Sequence, residues 1–189
     1  SLDEAYLDVT NATACQGSAT LIAQEIRRRV REEIGITLSA GIAPNKFIAK
    51  VASDWNKPDG QFVVKPHEVD EFVKALPVKK LFGVGKVTAG RLHSLGIQTC
   101  GDLRALSEGD LVAQFGSFGT GLYRLCRGID EREVSTDRTR KSLSVENTYI
   151  TDLPSLEACL ERLPELHEQL LQRLKRVEEE YRISKKYMK

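Results

Sequence analysis

Ser1-Leu2-Asp3-Glu4-Ala5-Tyr6-Leu7-Asp8-Val9-Thr10 is the stretch on which the reading of the whole chain turns. From Ala5 onward apolar and polar residues alternate, with Ala5, Leu7 and Val9 on one side and Tyr6, Asp8 and Thr10 on the other. That is the period of a half-buried strand. Its head carries two adjacent carboxylates. Neighbours on a regular strand point to opposite faces, so Asp3 and Glu4 converge only if the chain bends there. Two hard oxygen donors at a bent strand tip suit magnesium, which takes one or two protein carboxylates and fills its other positions with water and substrate phosphates. Phosphoryl transfer is the chemistry implied. As a bare dipeptide, Asp3-Glu4 reads first as a solvated loop, so the rest of the chain has to decide.

Charge narrows the choice. The 28 basic and 27 acidic residues leave a net charge of +1 in a chain of 189, which excludes a uniformly basic nucleic-acid coat; any electrostatic footprint is local. Length alone allows one or two domains. Cys15, Cys100, Cys126 and Cys159 are scattered without C-x-x-C spacing, and read as buried thiols of an intracellular protein rather than a zinc site or disulfide framework. No apolar run approaches the ~20 residues of a membrane span, and no signal-peptide pattern opens the chain. A soluble cytoplasmic protein is expected.

Beyond the opening stretch, Ala19, Ile22, Ala23, Ile26, Val30 and Ile34 form a helical stripe that Ser18 can cap and Gly35 can end. Its other face, with Arg27, Arg28, Arg31, Glu32 and Glu33, reads as solvated surface. Thr37 to Ala43 is expected to return as a strand beside the first, making a split unit of the ferredoxin-like kind. Pro44 to Trp55 is a second helix, with Phe47, Ile48, Val51 and Ala52 inward and Lys46 and Lys50 sharing another side four residues apart. Asn56-Lys57-Pro58-Asp59-Gly60 is a turn, where Pro58 disfavours further helix and Gly60 permits positive φ. Gln61 to Val64 is a short strand after it. Lys57 thus stands on a rigid corner where a compact ammonium could meet a phosphate; by turn chemistry alone it is an ordinary surface lysine. Asp54 reads as a helix-end or structural polar group.

A new module starts near Pro66, with a short helix to Leu76. In Leu81-Phe82-Gly83-Val84-Gly85-Lys86, two glycines flank one apolar residue just before a helix. Backbone N–H groups at that helix N-terminus are left open to an anion, and a DNA phosphate fits there. Gly96 stops this helix and Thr99 to Leu106 begins another, the order of a helix-hairpin-helix element. Gly83, Gly85 and Lys86 would then grip duplex regardless of its sequence, because phosphate contacts carry no base information. His93 reads as an exposed helix residue, and Phe115 to Gly119 as a packed corner within three short helical pieces ending near Ile129. Glu131 to Lys141 is a hydrophilic linker whose Arg132, Arg138, Arg140 and Lys141 could neutralise phosphates or simply solvate a tether. Lys141 to Tyr149 alternates as a strand; Leu156, Leu160, Leu163, Leu170, Leu174 and Val177 give a helical stripe kinked at Pro164; Arg182 to Lys189 reads as the start of a further strand.

Three of these segments carry a resemblance. Ser-Leu-Asp-Glu-Ala-Tyr-Leu-Asp at 1–8, Ala-Gly-Ile-Ala-Pro-Asn-Lys at 40–46 and Ser-Asp-Trp-Asn-Lys-Pro-Asp-Gly at 53–60 resemble the Y-family DNA polymerases, the translesion enzymes, and most of all their bacterial DinB branch. The resemblance implies an α+β chain: a partial ferredoxin-like palm over 1–65, a small all-helical thumb with helix-hairpin-helix over 66–130, a basic linker over 131–141 and a partial α/β little finger over 142–189. It implies template-directed DNA synthesis past lesions, by nucleotidyl transfer from a deoxynucleoside triphosphate to a primer 3'-hydroxyl with two magnesium ions. Asp3 would be a metal ligand and Glu4 the catalytic acidic residue that also ligates metal; Lys57 would contact the incoming triphosphate; Gly83, Gly85 and Lys86 would hold the duplex backbone. Arg138, Arg140 and Lys141 would cross the DNA. Partners implied are primer-template DNA, the deoxynucleoside triphosphate and a sliding clamp met through a segment outside this chain. The sequence is expected to be a fragment, without the family's N-terminal palm strand and its first metal-binding aspartate, the fingers, or the rest of the little finger. The alternative is a sequence-independent duplex-binding module without catalysis; a structural fragment that binds nothing is a third reading.

Overall fold

A computed structural model describes residues 3–136 and 142–187, with side chains as far as residue 179. The chain divides into two compact units, Ser1–Val134 and Ser135–Lys189.

After a 3-10 turn over Ala14–Gly17, the first unit continues with the expected helix. Ser18 caps it by accepting the Leu21 N–H at 3.3 Å, α1 runs Ala19–Arg29, and a wider π-helical turn over Val30–Ile34 closes on Gly35 at φ +78°. Its outer face carries the helix pairs Arg28–Glu25 and Arg29–Glu33, each at 2.7 Å. Arg27 departs from the solvated-surface expectation. Its guanidinium turns inward, donating to the Leu38 carbonyl at 3.3 Å and to the Asp59 carboxylate at 3.0 Å, and so ties α1 to two loops of the small sheet.

That sheet is a β-α-β unit. β1 (Ala40–Ile42) and β2 (Gln61–Val63) run parallel, in the register Ala40↔Gln61, Gly41↔Phe62, Ile42↔Val63, with α2 (Lys46–Ser53) as the crossover. Parallel neighbours require such a crossover. The four residues expected to face a core from α2, Phe47, Ile48, Val51 and Ala52, are all buried. Two expectations are corrected here. Ala5 to Thr10 forms no strand, and the 37–43 segment pairs with β2 rather than with it. A strand exists only through a ladder partner, and among the described residues none lies beside 5–10, where Leu7 is 64% exposed. In the 56–60 turn, positive φ falls on Asp59 (+48°) instead of Gly60. Gly60 is needed for space: a Cβ there would lie 1.9 Å from the Asn56 carbonyl oxygen.

Short helices complete the unit: α3 (Val69–Lys74), α4 (Lys86–Ser94), α5 (Cys100–Leu103), α6 (Glu108–Phe115) and α7 (Phe118–Leu125). Thr99 and Ser107 open α5 and α6 with capping boxes closed by Asp102 and Asp110. One hydrophobic core runs from α2 to α7, with Ile48, Leu76, Leu92, Leu103, Leu111 and Leu122 fully buried.

In the second unit, residues 142–149 form no strand; alternation alone cannot replace a pairing partner. Ser155 caps α8 (Leu156–Leu160) through the Ala158 N–H. α9 runs Leu163–Tyr187, which corrects two further expectations. Pro164 sits in the first turn, where its missing N–H costs nothing, and does not kink the stripe. The strand expected from Arg182 is a continuation of the helix to Tyr187; residues 165–187 contain neither Gly nor Pro to stop it. The architecture is α+β, and no described helix is long and apolar enough to cross a membrane.

Candidate functional site

α2 is the element around which the predicted site residues gather. Asn45 caps it by accepting the Ile48 N–H at 3.0 Å, which fixes the helix phase and sends Lys46 and Lys50 to one side. Both meet the opening segment. The Lys46 ammonium lies 5.0 Å from the centre of the Tyr6 ring, and Lys50 Nζ donates to Glu4 Oε1. That hydrogen bond raises the Lys50 pKa against the opposing effect of burial. Asp3 and Glu4 are both exposed. The acidic tip is therefore held by side chains of α2 rather than by a sheet, an anchoring that the i, i+4 lysine spacing could have suggested.

At the other end of α2, Asp54 is the C-cap residue and pairs with Lys57, Oδ1 to Nζ 2.6 Å. The Lys57 hydrogen bond holds the Asp54 carboxyl below the usual carboxylate range; burial opposes it, and the charges of Lys57, Lys80 and Lys50 add to it. Glu4, through Lys50, and Lys57, through Asp54, are thus attached to the C-terminal half of one short helix, one turn apart.

The glycine pair lies in a separate loop. Gly83 has φ +81°, a value that disfavours other residues. Gly85 is the N-cap of α4 and has no side chain to occupy the first N–H groups, and Lys86 opens the helix with an exposed side chain. The loop joins a 3-10 turn over Val78–Lys80 to α4. The glycine hairpin is therefore between those two elements, while Gly96 and the Thr99 cap form a second turn on the far side of α4. His93 is exposed as expected. Arg138, Arg140 and Lys141 lie outside the described residues. Of the cysteines, Cys100 and Cys126 are buried, Cys15 half-buried and Cys159 exposed, so burial does not extend to all four as expected.

Among the described residues no group of three or more His, Cys, Asp or Glu is placed to hold a metal. The donor set at the tip is Asp3 and Glu4. Two exposed hard carboxylates fit the one or two that magnesium takes from protein, with room left for water and phosphate oxygens. Sequence reading missed two residues of this region, Asp130 and the role of Arg132. Asp130 accepts the Phe47 N–H of α2 at 2.9 Å and binds Arg132 through both oxygens. Nothing in a hydrophilic, aperiodic segment signals such a contact.

Residues 1–54 match the impB/mucB/samB family, and residues 79–130 match the family described as DNA polymerase-iota, thumb domain. The DNA polymerase IV of Ectopseudomonas mendocina (strain ymp) is 61% identical over all 189 residues, which cover 54% of that protein. The DNA polymerase IV of Ralstonia nicotianae is 61% identical over the same span, 53% of its length. Among solved structures, the Y-family DNA polymerase chimera Dbh-Dpo4(243-245)-Dbh superposes with a TM-score of 0.77 at 31% identity, covering 91% of this chain and 50% of that one. DinB from Sulfolobus solfataricus gives 0.65 at 36% identity, covering 71% and 40%. Over its whole length the chain is similar to Y-family DNA polymerases, DNA polymerase IV (DinB) proteins among them. It spans about half the length of the curated relatives it matches.

Proposed function

We propose that the protein carrying this sequence performs template-directed DNA synthesis, including synthesis past lesions, by transferring a nucleotidyl group from a deoxynucleoside triphosphate to a primer 3'-hydroxyl. The observation that carries this reading is the 61% identity, along the entire chain, to proteins named DNA polymerase IV. In this proposal Asp3 and Glu4 hold the metal, Glu4 being the catalytic carboxylate. Lys50 keeps Glu4 turned toward α2, and Lys57, in the turn just past the C-terminus of that helix, meets the triphosphate. Two magnesium ions, when bound, would supply charge neutralisation at the attacking and leaving oxygens. Gly83, Gly85 and Lys86 offer backbone N–H groups and one cation to the duplex backbone. Arg138, Arg140 and Lys141 add a salt-dependent contact in the segment that follows. The proposal extends to primer-template DNA and deoxynucleoside triphosphates as partners, to a sliding clamp engaged by sequence outside these 189 residues, and to a cytoplasmic setting.

In the full-length protein, Asp3→Ala and Glu4→Ala are expected to abolish primer extension while primer-template binding survives. Retained synthesis in either variant would overturn the assignment. A second reading, a sequence-independent duplex-binding module, is favoured for these 189 residues on their own by the absence of a three-ligand metal group among the described residues beside an exposed Gly83-Gly85-Lys86 loop. On that reading the isolated chain shifts duplex in a gel, Lys86→Glu weakens the shift, and no extension is detected.

A further inference from the structure

The strongest unassigned feature is the junction between the end of α7 and the start of α2. Asp130 is the centre of it. Its side chain is 3% exposed, yet it lies in a segment whose neighbours Glu131 and Glu133 are exposed. One oxygen, Oδ2, accepts the Phe47 N–H at 2.9 Å, an orphan donor of the first turn of α2. Arg132 grips the same carboxylate bidentately, Nε to Oδ1 at 2.7 Å and Nη2 to Oδ2 at 2.9 Å. Its guanidinium simultaneously covers the Phe82 ring at 4.5 Å. Phe82 immediately precedes Gly83 in the phosphate-gripping loop. Two further bonds lace the same strip to α2: Asn45 Nδ2 to the Gly128 carbonyl at 2.9 Å and Lys46 Nζ to the Glu133 carbonyl at 3.2 Å.

We propose that Asp130 and Arg132 form a strut between α2 and the 81–85 loop, fixing the loop that grips duplex DNA relative to the helix that holds Glu4 and Lys57. Arg132 is then a positioning residue, and its charge is used internally, on Asp130 and Phe82, rather than on a DNA phosphate. A planar, bidentate fork stacked on an aromatic ring is a geometry that lysine cannot reproduce. The strut deepens the proposed function, since the loop's role as a duplex grip rests on that reading.

The test uses the full-length protein and four variants, Arg132→Ala, Arg132→Lys, Asp130→Asn and Lys86→Ala. Amide hydrogen exchange of the DNA-free protein comes first. Loosening the strut is expected to raise exchange in the 81–85 loop for Arg132→Ala, Arg132→Lys and Asp130→Asn, with circular dichroism unchanged. Binding of a primer-template duplex across a salt series comes second. The strut variants are expected to bind roughly three- to thirtyfold more weakly, the span of an indirect coupling. Their salt slope should stay at the wild-type value, because no phosphate contact is lost. Lys86→Ala should flatten that slope by about one contact. The sign of Asp130→Asn is decisive: it removes a negative charge, so bulk electrostatics would tighten DNA binding, whereas loss of the strut weakens it. Unchanged loop exchange, a wild-type Arg132→Lys, or tighter binding by Asp130→Asn would each overturn the strut. Failure of the wild-type protein to bind duplex would instead overturn the grip assigned to the loop, leaving the exchange measurement to judge the strut.

Discussion

The Asp54 carboxylate stands 2.6 Å from the Lys57 ammonium three residues later, so the lysine proposed for the triphosphate already has a partner that fixes where it points. Both groups are partly exposed, 34% and 57%, and a surface pair of this kind is worth about 0–1 kcal/mol. Its consequence is therefore orientation rather than stability. Asp54→Asn in the full-length protein is expected to shift the melting temperature little while changing KM for the incoming nucleotide several-fold. An unchanged KM would show that Lys57 is placed by its turn alone.

Acid should weaken the Asp130 junction. Burial would raise this carboxyl's pKa, but hydrogen bonds from Arg132 and Phe47 and the Arg132 charge outweigh it, and the net shift is downward from 3.8. A carboxyl depressed in the folded state contributes fully above its unfolded pKa and loses that contribution as pH falls through the folded one. Thermal unfolding of wild type and Asp130→Asn should differ near neutrality by about 1.5–3 kcal/mol, the range for hydrogen bonds to a charged group. The gap should close as pH drops below 3.8. A gap that persists there would point to lost packing instead.

Thiol chemistry offers a check on the core. Burial, with a further push from Cys126 and opposition from Arg104, pushes the Cys100 pKa up to about 12. Burial likewise raises that of Cys126, against Arg127 and Arg104. Reactivity follows the thiolate. An aromatic disulfide reagent at pH 8 is expected to label exposed Cys159 quickly, half-buried Cys15 more slowly, and Cys100 and Cys126 only after denaturant is added. Rapid labelling of Cys100 would contradict its packing.

Two residues on the same short helix, α4, should differ sharply. Leu92 is fully buried and Val87 is 88% exposed. Leu92→Ala is expected to cost about 2–5 kcal/mol in urea unfolding, and Val87→Ala within about 0.5 kcal/mol.

Close approach of α6 and α7 makes a third stability test. A Cβ on Gly119 would fall 2.3 Å from the Leu111 carbonyl, which is backbone and cannot swing aside. Gly119→Ala should therefore destabilise by about 1–3 kcal/mol or more, although alanine is the better helix former. A neutral result would mean that the helices separate freely.

What the sequence determined by itself was whatever is written in local chemistry. The Ser18 cap, the Gly35 stop, the inward face Phe47, Ile48, Val51 and Ala52, and the family motifs at 1–8, 40–46 and 53–60 were all legible, because each depends on neighbours a few residues away. Tertiary structure decided the rest. Whether the alternating 5–10 and 142–149 segments become strands depends on a partner that period cannot supply. That Lys50 reaches Glu4 across 46 residues, or Asp130 reaches Phe47 across 83, depends on how separate elements pack. A side chain's rotamer and a helix's first turn are local, but the identity of the group that satisfies a buried charge is a property of the folded whole.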